Sequence, residues 1–178
     1  EMNEYEGHWL STYTGKKIHY LDPQPEEIDI RDIAHALALT CRFGGHCNQF
    51  YSVAEHSVRV AIEVDRDHKL LALLHDAHEA YLHDVPRPIK QDIMGYSKIA
   101  GGLQRAINKK FALPISIGYD VTHFDDVLLS TEARDLGLNT TDWAELPAPL
   151  EEIIYPWTWQ DAEESFLTYF RMWSKDEP

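Results

Sequence analysis

Hydrophobic positions recur at helical spacing through most of the chain. Ile30, Ile33, Ala34, Leu37 and Cys41 follow the i, i+3, i+4, i+7, i+11 rhythm of one helix face, and Gly44-Gly45 stops the run. Ser52-Val53-Ala54-Glu55 is a capping-box pattern opening a second helix that runs to about Val64. The pattern predicts a third helix over 68–82 (HKLLALLHDAHEAYL), ended ahead of Pro86 and Pro88. A fourth is expected near 97–112, with Ile99, Leu103, Ile107 and Phe111 on one stripe, and a fifth near 123–136, closed by Gly137. Pro147, Pro149 and Pro156 punctuate a long loop, after which Thr158-Trp159-Gln160-Asp161 caps a last helix carrying Phe166, Phe170 and Trp173. Residues 8–20 differ: loose alternation around Thr14-Gly15-Lys16 predicts a small hairpin, and Asp22-Pro23-Gln24-Pro25 a loop. No repeat or low-complexity tract interrupts the series. The expected fold is one all-α domain over 1–178 with a short β ornament.

Composition narrows the functional classes. The 178 residues suit one domain of ordinary size. Sixteen Lys/Arg against thirty Asp/Glu give a net charge of −14, which argues against long nucleic acids and anionic membrane surfaces as partners. The two cysteines, Cys41 and Cys47, are too few to staple this chain and are not spaced as a zinc-ribbon pair, so reduced thiols in a cytoplasmic protein are expected. The apolar runs are too short to span a membrane, no signal peptide is apparent, and Glu1 before Met2 reads as an added residue. Ten histidines are the unusual feature.

Several of those histidines fall on inward faces. On the second helix His56 shares a stripe with Val53, Val60, Ala61 and Val64. On the third, His75 and His78 share one with Leu71 and Leu82, while Asp76 lies one step round and Glu79 one turn on. On the fifth, Asp125 and Glu132 line up with Leu128, Leu129 and Leu136. An inward histidine by itself is most often hydrogen-bonded in a core. Here an adjacent His75-Asp76 pair, an upstream His56 and a downstream Asp125 converge on one interior. Buried ionised carboxylates are costly unless paired or metal-bound, which favours coordination over a cap or ion-pair network. Two imidazoles and two carboxylates suit Zn²⁺, Mn²⁺, Co²⁺ or Fe²⁺, with Mg²⁺ a further option.

The order His56 … His75-Asp76 … Asp125 resembles the signature of the HD-domain metal-dependent phosphohydrolases. YSVAEHS and LLHDAHEAYLHDVPRPIK are especially similar to the bacterial 5′-deoxynucleotidase branch and its phage and prophage relatives, and CRFGGH and LLSTEARDLGL also resemble segments of the phage and prophage proteins. The likeness spans about residues 28–138 and leaves 139–178 as a C-terminal loop and helix. It implies an HD-type helical bundle and a divalent ion held by His56, His75, Asp76 and Asp125; Asp126 is the alternative to Asp125. One ion per site is expected, because the dinuclear branch places its added histidines at longer spacings than those of His78, His83 and His123 here. By the same resemblance Glu79 stands at an acid/base position, Asp84 at a position contacting sugar or attacking water, and Arg42 and Lys90 at phosphate-contacting positions. His46 is a candidate for a distal phosphate and Phe43 for the nucleobase pocket; Arg87 would suit a longer phosphate chain. Trp143, Trp157, Trp159 and Trp173 could form a stacking platform, although core or interface packing suits them better.

The expected activity is hydrolysis of a 5′-(deoxy)nucleoside monophosphate or a deoxynucleoside triphosphate by a metal-activated water. Two alternatives stand beside it: a nucleotide-sensing protein with a structural or vestigial metal site, and a phosphohydrolase of a non-nucleotide ester. A small phosphorylated substrate is compatible with the acidic total, because residues 42–112 carry ten Lys/Arg against eight Asp/Glu. The aromatic C-terminal helix suits a homo-oligomer interface.

Overall fold

The computed structural model describes residues 7–174, so the reading of Glu1 lies outside the described residues. The protein is mostly helical with a two-stranded antiparallel sheet, as the hydrophobic spacing predicts. Strands β1 (Leu10–Ser11) and β2 (Lys17–Ile18) pair Leu10 with Ile18 around the Gly15 turn. This hairpin is tied to the first helix by Asp32, whose carboxylate accepts from Thr14 N at 2.6 Å and Thr14 Oγ1 at 2.9 Å.

Helix α1 (Ile30–Leu39) starts at an Asp29 cap, and α2 (Val53–Glu63) starts at Ser52, whose Oγ accepts from Glu55 N. The reciprocal half of the expected capping box is absent. Glu55 instead turns inward, where it accepts from Arg59 Nε at 2.9 Å and from Trp157 N at 2.8 Å. It thereby fastens the proline-punctuated segment to α2. Two partners of α2 complete the bundle: α7 (Gly118–Asp135), and α8 (Trp159–Trp173), which begins at the Thr158 cap predicted for it. Helix α8 also packs against α1. Ile33, Leu37, Val58, Leu73, Leu128 and Phe166 meet in one core with no solvent exposure. Each side chain of that size contributes about 1.5–3 kcal/mol by leaving water.

The expected continuous helix over 68–82 is not formed. The chain makes a helix α3 at Lys69–Leu73, a run of turns over 74–78, and a helix α4 at Glu79–Leu82. Within the run, amide bonds reach back three residues: His75 to Ala72, Ala77 to Leu74, Glu79 to Asp76, Ala80 to Ala77 and Tyr81 to His78. The amphipathic stripe is real, since Leu71, Leu74, His75 and Glu79 are all buried, but such a stripe cannot distinguish a regular helix from successive tight turns. Gln104 holds this departure in place from α6 (Tyr96–Lys110). Its Nε2 donates to Leu74 O and its Oε1 accepts from His78 N. A short helix α5 (Arg87–Asp92) follows Pro86, where the sequence pattern predicts only a helix stop; Pro88 sits in its first turn, where no amide donor is needed. Helix α7 begins five residues before the expected start, and Asp120 in its first turn accepts from Asp65 N and His68 Nδ1.

Between α1 and α2 the chain folds as a 3₁₀ turn, Arg42–Gly45, in which Phe43 (φ 58°) and Gly44 (φ 59°) are left-handed. Cys41 and Cys47 are free thiols with Sγ atoms 3.7 Å apart.

Candidate metal centre

Three segments deliver the site. His56 comes from the middle of α2, His75 and Asp76 from the turn between α3 and α4, and Asp125 from α7. His56 is fully buried and His75 nearly so. His56 Nε2 lies 3.1 Å from Asp125 Oδ1, and His75 Nε2 lies 3.8 Å from that same oxygen and 3.2 Å from Asp76 Oδ2. One ligand atom from each of His56, His75 and Asp125 falls within 4.8 Å of the others, so this group could hold a metal ion. Asp76 lies against both imidazoles, 3.9 Å from His56 Nε2, but outside that mutually close trio.

The far side of each imidazole decides its role. His56 Nδ1 is 2.6 Å from Glu132 Oε1, and His75 Nδ1 is 2.6 Å from Ala72 O. Both partners are acceptors, so each Nδ1 carries the proton and each neutral ring keeps its Nε2 lone pair for the shared interior. Both Nε2 atoms are buried there without a hydrogen-bond partner. An orphaned pair of imidazole nitrogens facing a carboxylate is what a divalent ion would satisfy, so the residues fit one.

Electrostatics describe the same arrangement. Burial and Arg42 press His56 towards neutrality, but Glu132 and Asp125 outweigh them and raise its pKa. Burial likewise opposes charge on His75, yet Asp76 and Asp125 raise it well above the usual imidazole value. The carboxyls move the other way. Despite burial, His56 and His75 hold Asp125 far below the ordinary range, and His75 does the same for Asp76. The carboxylates thus favour positive charge at the two Nε2 positions, and a divalent ion held there would supply that charge in place of protons.

Glu132 is a residue whose part the sequence left unassigned. It is fully buried and joins His56 to Arg42, which ion-pairs with Glu132 Oε2 through Nε at 3.1 Å and Nη2 at 3.0 Å. Burial opposes its charge, but Arg42 and His56 keep it ionised. Its sequence signal was a carboxylate seven residues beyond Asp125 on an otherwise apolar stripe. Arg42, expected at a phosphate, is buried beneath the 3₁₀ turn on this carboxylate. Gln104, which braces the His75 turn, carried no sequence signal.

Glu79 is buried beside the centre. Lys90 Nζ sits 2.6 Å from its Oε1, while Oε2 is buried with no partner. Burial, with Asp76 and Asp84 nearby, pushes Glu79 up to about 8 against the pull of Lys90. Asp84 accepts from Phe43 N at 2.9 Å and so pins the left-handed residue of the 3₁₀ turn. Phe43 packs against the core with the Arg42 guanidinium 5.1 Å from its ring centroid. His46 is exposed at the end of that turn, and Gly44 lies between its ring and Pro86.

The remaining candidates sit elsewhere. His78 faces Gln104, His83 is exposed in a left-handed conformation, and His123 stacks on Tyr119. Asp126 does not join the trio. Arg87 is exposed at the start of α5. The tryptophans pack individually: Trp157 under Arg59, Trp159 against His35, Trp173 on Tyr169, and Trp143 beside a groove at the C-terminal end of α7. No helix among the described residues is long and apolar enough to cross a membrane.

No family model matches the chain. It is 39% identical over 116 residues to the uncharacterized protein RCAP_rcc00048 of Rhodobacter capsulatus, covering 60% of this chain and 59% of that protein. It is 38% identical over 131 residues to the uncharacterized protein YfdR of Escherichia coli K12, covering 74% of each. At that identity and coverage, the chain belongs to the same protein family as YfdR.

Proposed function

We propose that the protein is an HD-type metal-dependent phosphohydrolase acting on nucleotides. The observation that carries this reading is the pair of buried, unpartnered Nε2 atoms of His56 and His75, aimed at Asp125 and Asp76, with Glu79 alongside. The first four residues would hold a single divalent ion. When bound, that ion supplies Lewis-acid polarisation of a phosphoryl oxygen and lowers the pKa of a water. The protein's own groups supply the rest. Glu79 moves a proton through Oε2, the carboxylate oxygen left without a partner. Lys90 holds Oε1 and so fixes the direction in which Oε2 faces. Asp84 holds the Arg42–Gly45 turn through Phe43 N, and Phe43 and His46 of that segment are read as substrate contacts.

A site that merely stabilised the fold would need no buried carboxyl tuned towards neutral pH beside its ligands, which favours turnover over a structural or sensing role. The substrate is read as a 5′-(deoxy)nucleoside monophosphate or a deoxynucleoside triphosphate. The test is release of phosphate and of triphosphate across a panel of mono- and triphosphates, with Mn²⁺, Co²⁺, Zn²⁺ and Mg²⁺ in turn. Turnover with at least one pair is expected. Metal-loaded protein that hydrolyses none of them would overturn the enzymatic reading and leave a binding protein; turnover restricted to other phosphoesters would remove the nucleotide assignment.

A further inference from the structure

Helix α6 is out of keeping with the rest of this acidic chain. Its fifteen residues include Lys98, Arg105, Lys109 and Lys110 and no Asp or Glu. Lys98, Arg105 and Lys109 recur at i, i+7 and i+11, which places them along one side of the helix. That side forms a wall of a groove of about 450 Å³, closed opposite by Leu21, Pro23 and Pro25 of the loop before α1. All three cations are exposed, and none makes an ion pair or side-chain hydrogen bond among the described residues. Gly102 opens the floor: a Cβ there would reach Pro23 and Arg105 at 3.9 Å, so any larger side chain would fill the space. Ile99 and Ala106 complete an apolar strip between the charges.

From this we infer that the α6 groove is a second anion site, for a small molecule carrying more than one phosphate joined to an apolar or planar group. The rise of the helix separates Lys98 from Arg105 by about 10 Å and Arg105 from Lys109 by about 6 Å along the axis. One phosphate cannot meet all three cations across that span, whereas a short oligophosphate can meet the closer pair while the attached group lies along Ile99 and Pro23. Asp22 is the one carboxylate lining the groove, and it disfavours a ligand whose charge extends over the proline side. The volume also suits such a ligand, being within the usual range of small-molecule clefts. No lining residue belongs to the metal centre, so the site is independent of the activity proposed above.

The test is equilibrium dialysis of the whole chain in EDTA, with inorganic triphosphate and with a nucleoside triphosphate as probes. In EDTA no divalent ion draws phosphate to the His56–His75 centre. Saturable binding of one probe molecule per chain is expected. It should weaken at least tenfold in a K98A/R105A/K109A variant and persist in His75→Ala, and the nucleotide should bind more tightly than inorganic triphosphate. The three exposed substitutions leave the core intact, and circular dichroism checks that the variant is folded. Absence of saturable binding, or binding unchanged in the triple variant, would overturn the site. Equal affinity for the two probes would remove the apolar part of the assignment. A triple variant that changes sedimentation while probe binding is unchanged would make the face a contact between copies of the chain instead.

Discussion

Helix α2 and the run from Lys69 to Leu82 deliver the two histidines of the centre by different means. Helix α2 is regular and capped by Ser52, and it carries one site residue among apolar neighbours. A 3.6-residue period suffices to aim one side chain inward. The second run supplies His75, Asp76 and Glu79 within five positions, and consecutive side chains of a regular helix diverge by about 100°. Its backbone leaves the α form over 74–78, and His75 and Asp76 come to within 3.2 Å of each other. The braces differ accordingly. His56 is oriented by a buried ion pair from α7 and the 3₁₀ turn, and His75 by its own turn's carbonyl and by Gln104. One histidine rides on a regular helix; the other depends on an irregular backbone held from outside.

Substitutions can break that contrast, beginning with the largest effects. Removing either ligand, as His56→Ala or His75→Ala, should abolish metal retention, with affinity falling by more than the about 10–100-fold typical of outer partners. Metal content after dialysis checks this, and a variant that retained full stoichiometry would remove that histidine from the centre. Under the proposed phosphohydrolase reading, Glu79→Ala should lower turnover by about 10²–10⁴-fold with metal content unchanged, in keeping with a proton-transfer role. Loss of metal from this variant would make Glu79 a ligand instead.

Glu132→Gln separates the rigid support from the irregular one. It removes the charge that orients His56 and should weaken metal binding by about 10–100-fold, read by competition with a chelating dye. Unchanged affinity would mean that α2 alone positions the ring. Acid should act on both histidines together. Their pKa values are raised by Asp76, Asp125 and Glu132, and the proton on Nε2 competes with the ion. Metal affinity should therefore climb as pH rises through the raised imidazole range and decline below it. Affinity that stays flat between about pH 6 and about pH 8 would contradict this.

The smallest pair is the most discriminating. Ser52→Ala and Gln104→Ala should each cost about 1 kcal/mol of stability, through a lost cap and lost hydrogen bonds respectively. Only Gln104→Ala should also weaken metal binding, since it alone frees the backbone that carries His75. Denaturant unfolding of the metal-free protein gives the first quantity and dye competition the second.

The contrast also explains what could be read in advance. His56 and Asp125 lie on regular helices, and the inward face assigned to each from spacing is the face observed. The same spacing places His75 inward, as observed, yet it predicts one continuous helix over 68–82 where the chain forms α3, a run of turns and α4. A burial stripe records which residues meet the core and is indifferent to whether amide bonds reach back three residues or four. Arg42 shows a different limit. Its neighbours in the chain gave no sign of Glu132, ninety residues away, because an ion pair between distant segments leaves no local pattern.

By itself the sequence determined the helical class, the caps at Ser52 and Thr158, the hairpin and the inward placement of His56, His75 and Asp125. These depend on period, on short-range hydrogen bonds and on the cost of burying charge, all of which act within a few residues. Only the tertiary structure decided which nitrogen of each imidazole faces the interior, that Glu132 and Arg42 stand behind His56, that Gln104 sustains the turn at His75, and that the cations of α6 face a groove. Those outcomes arise where distant segments pack together, and the energy that selects them does not exist until they meet.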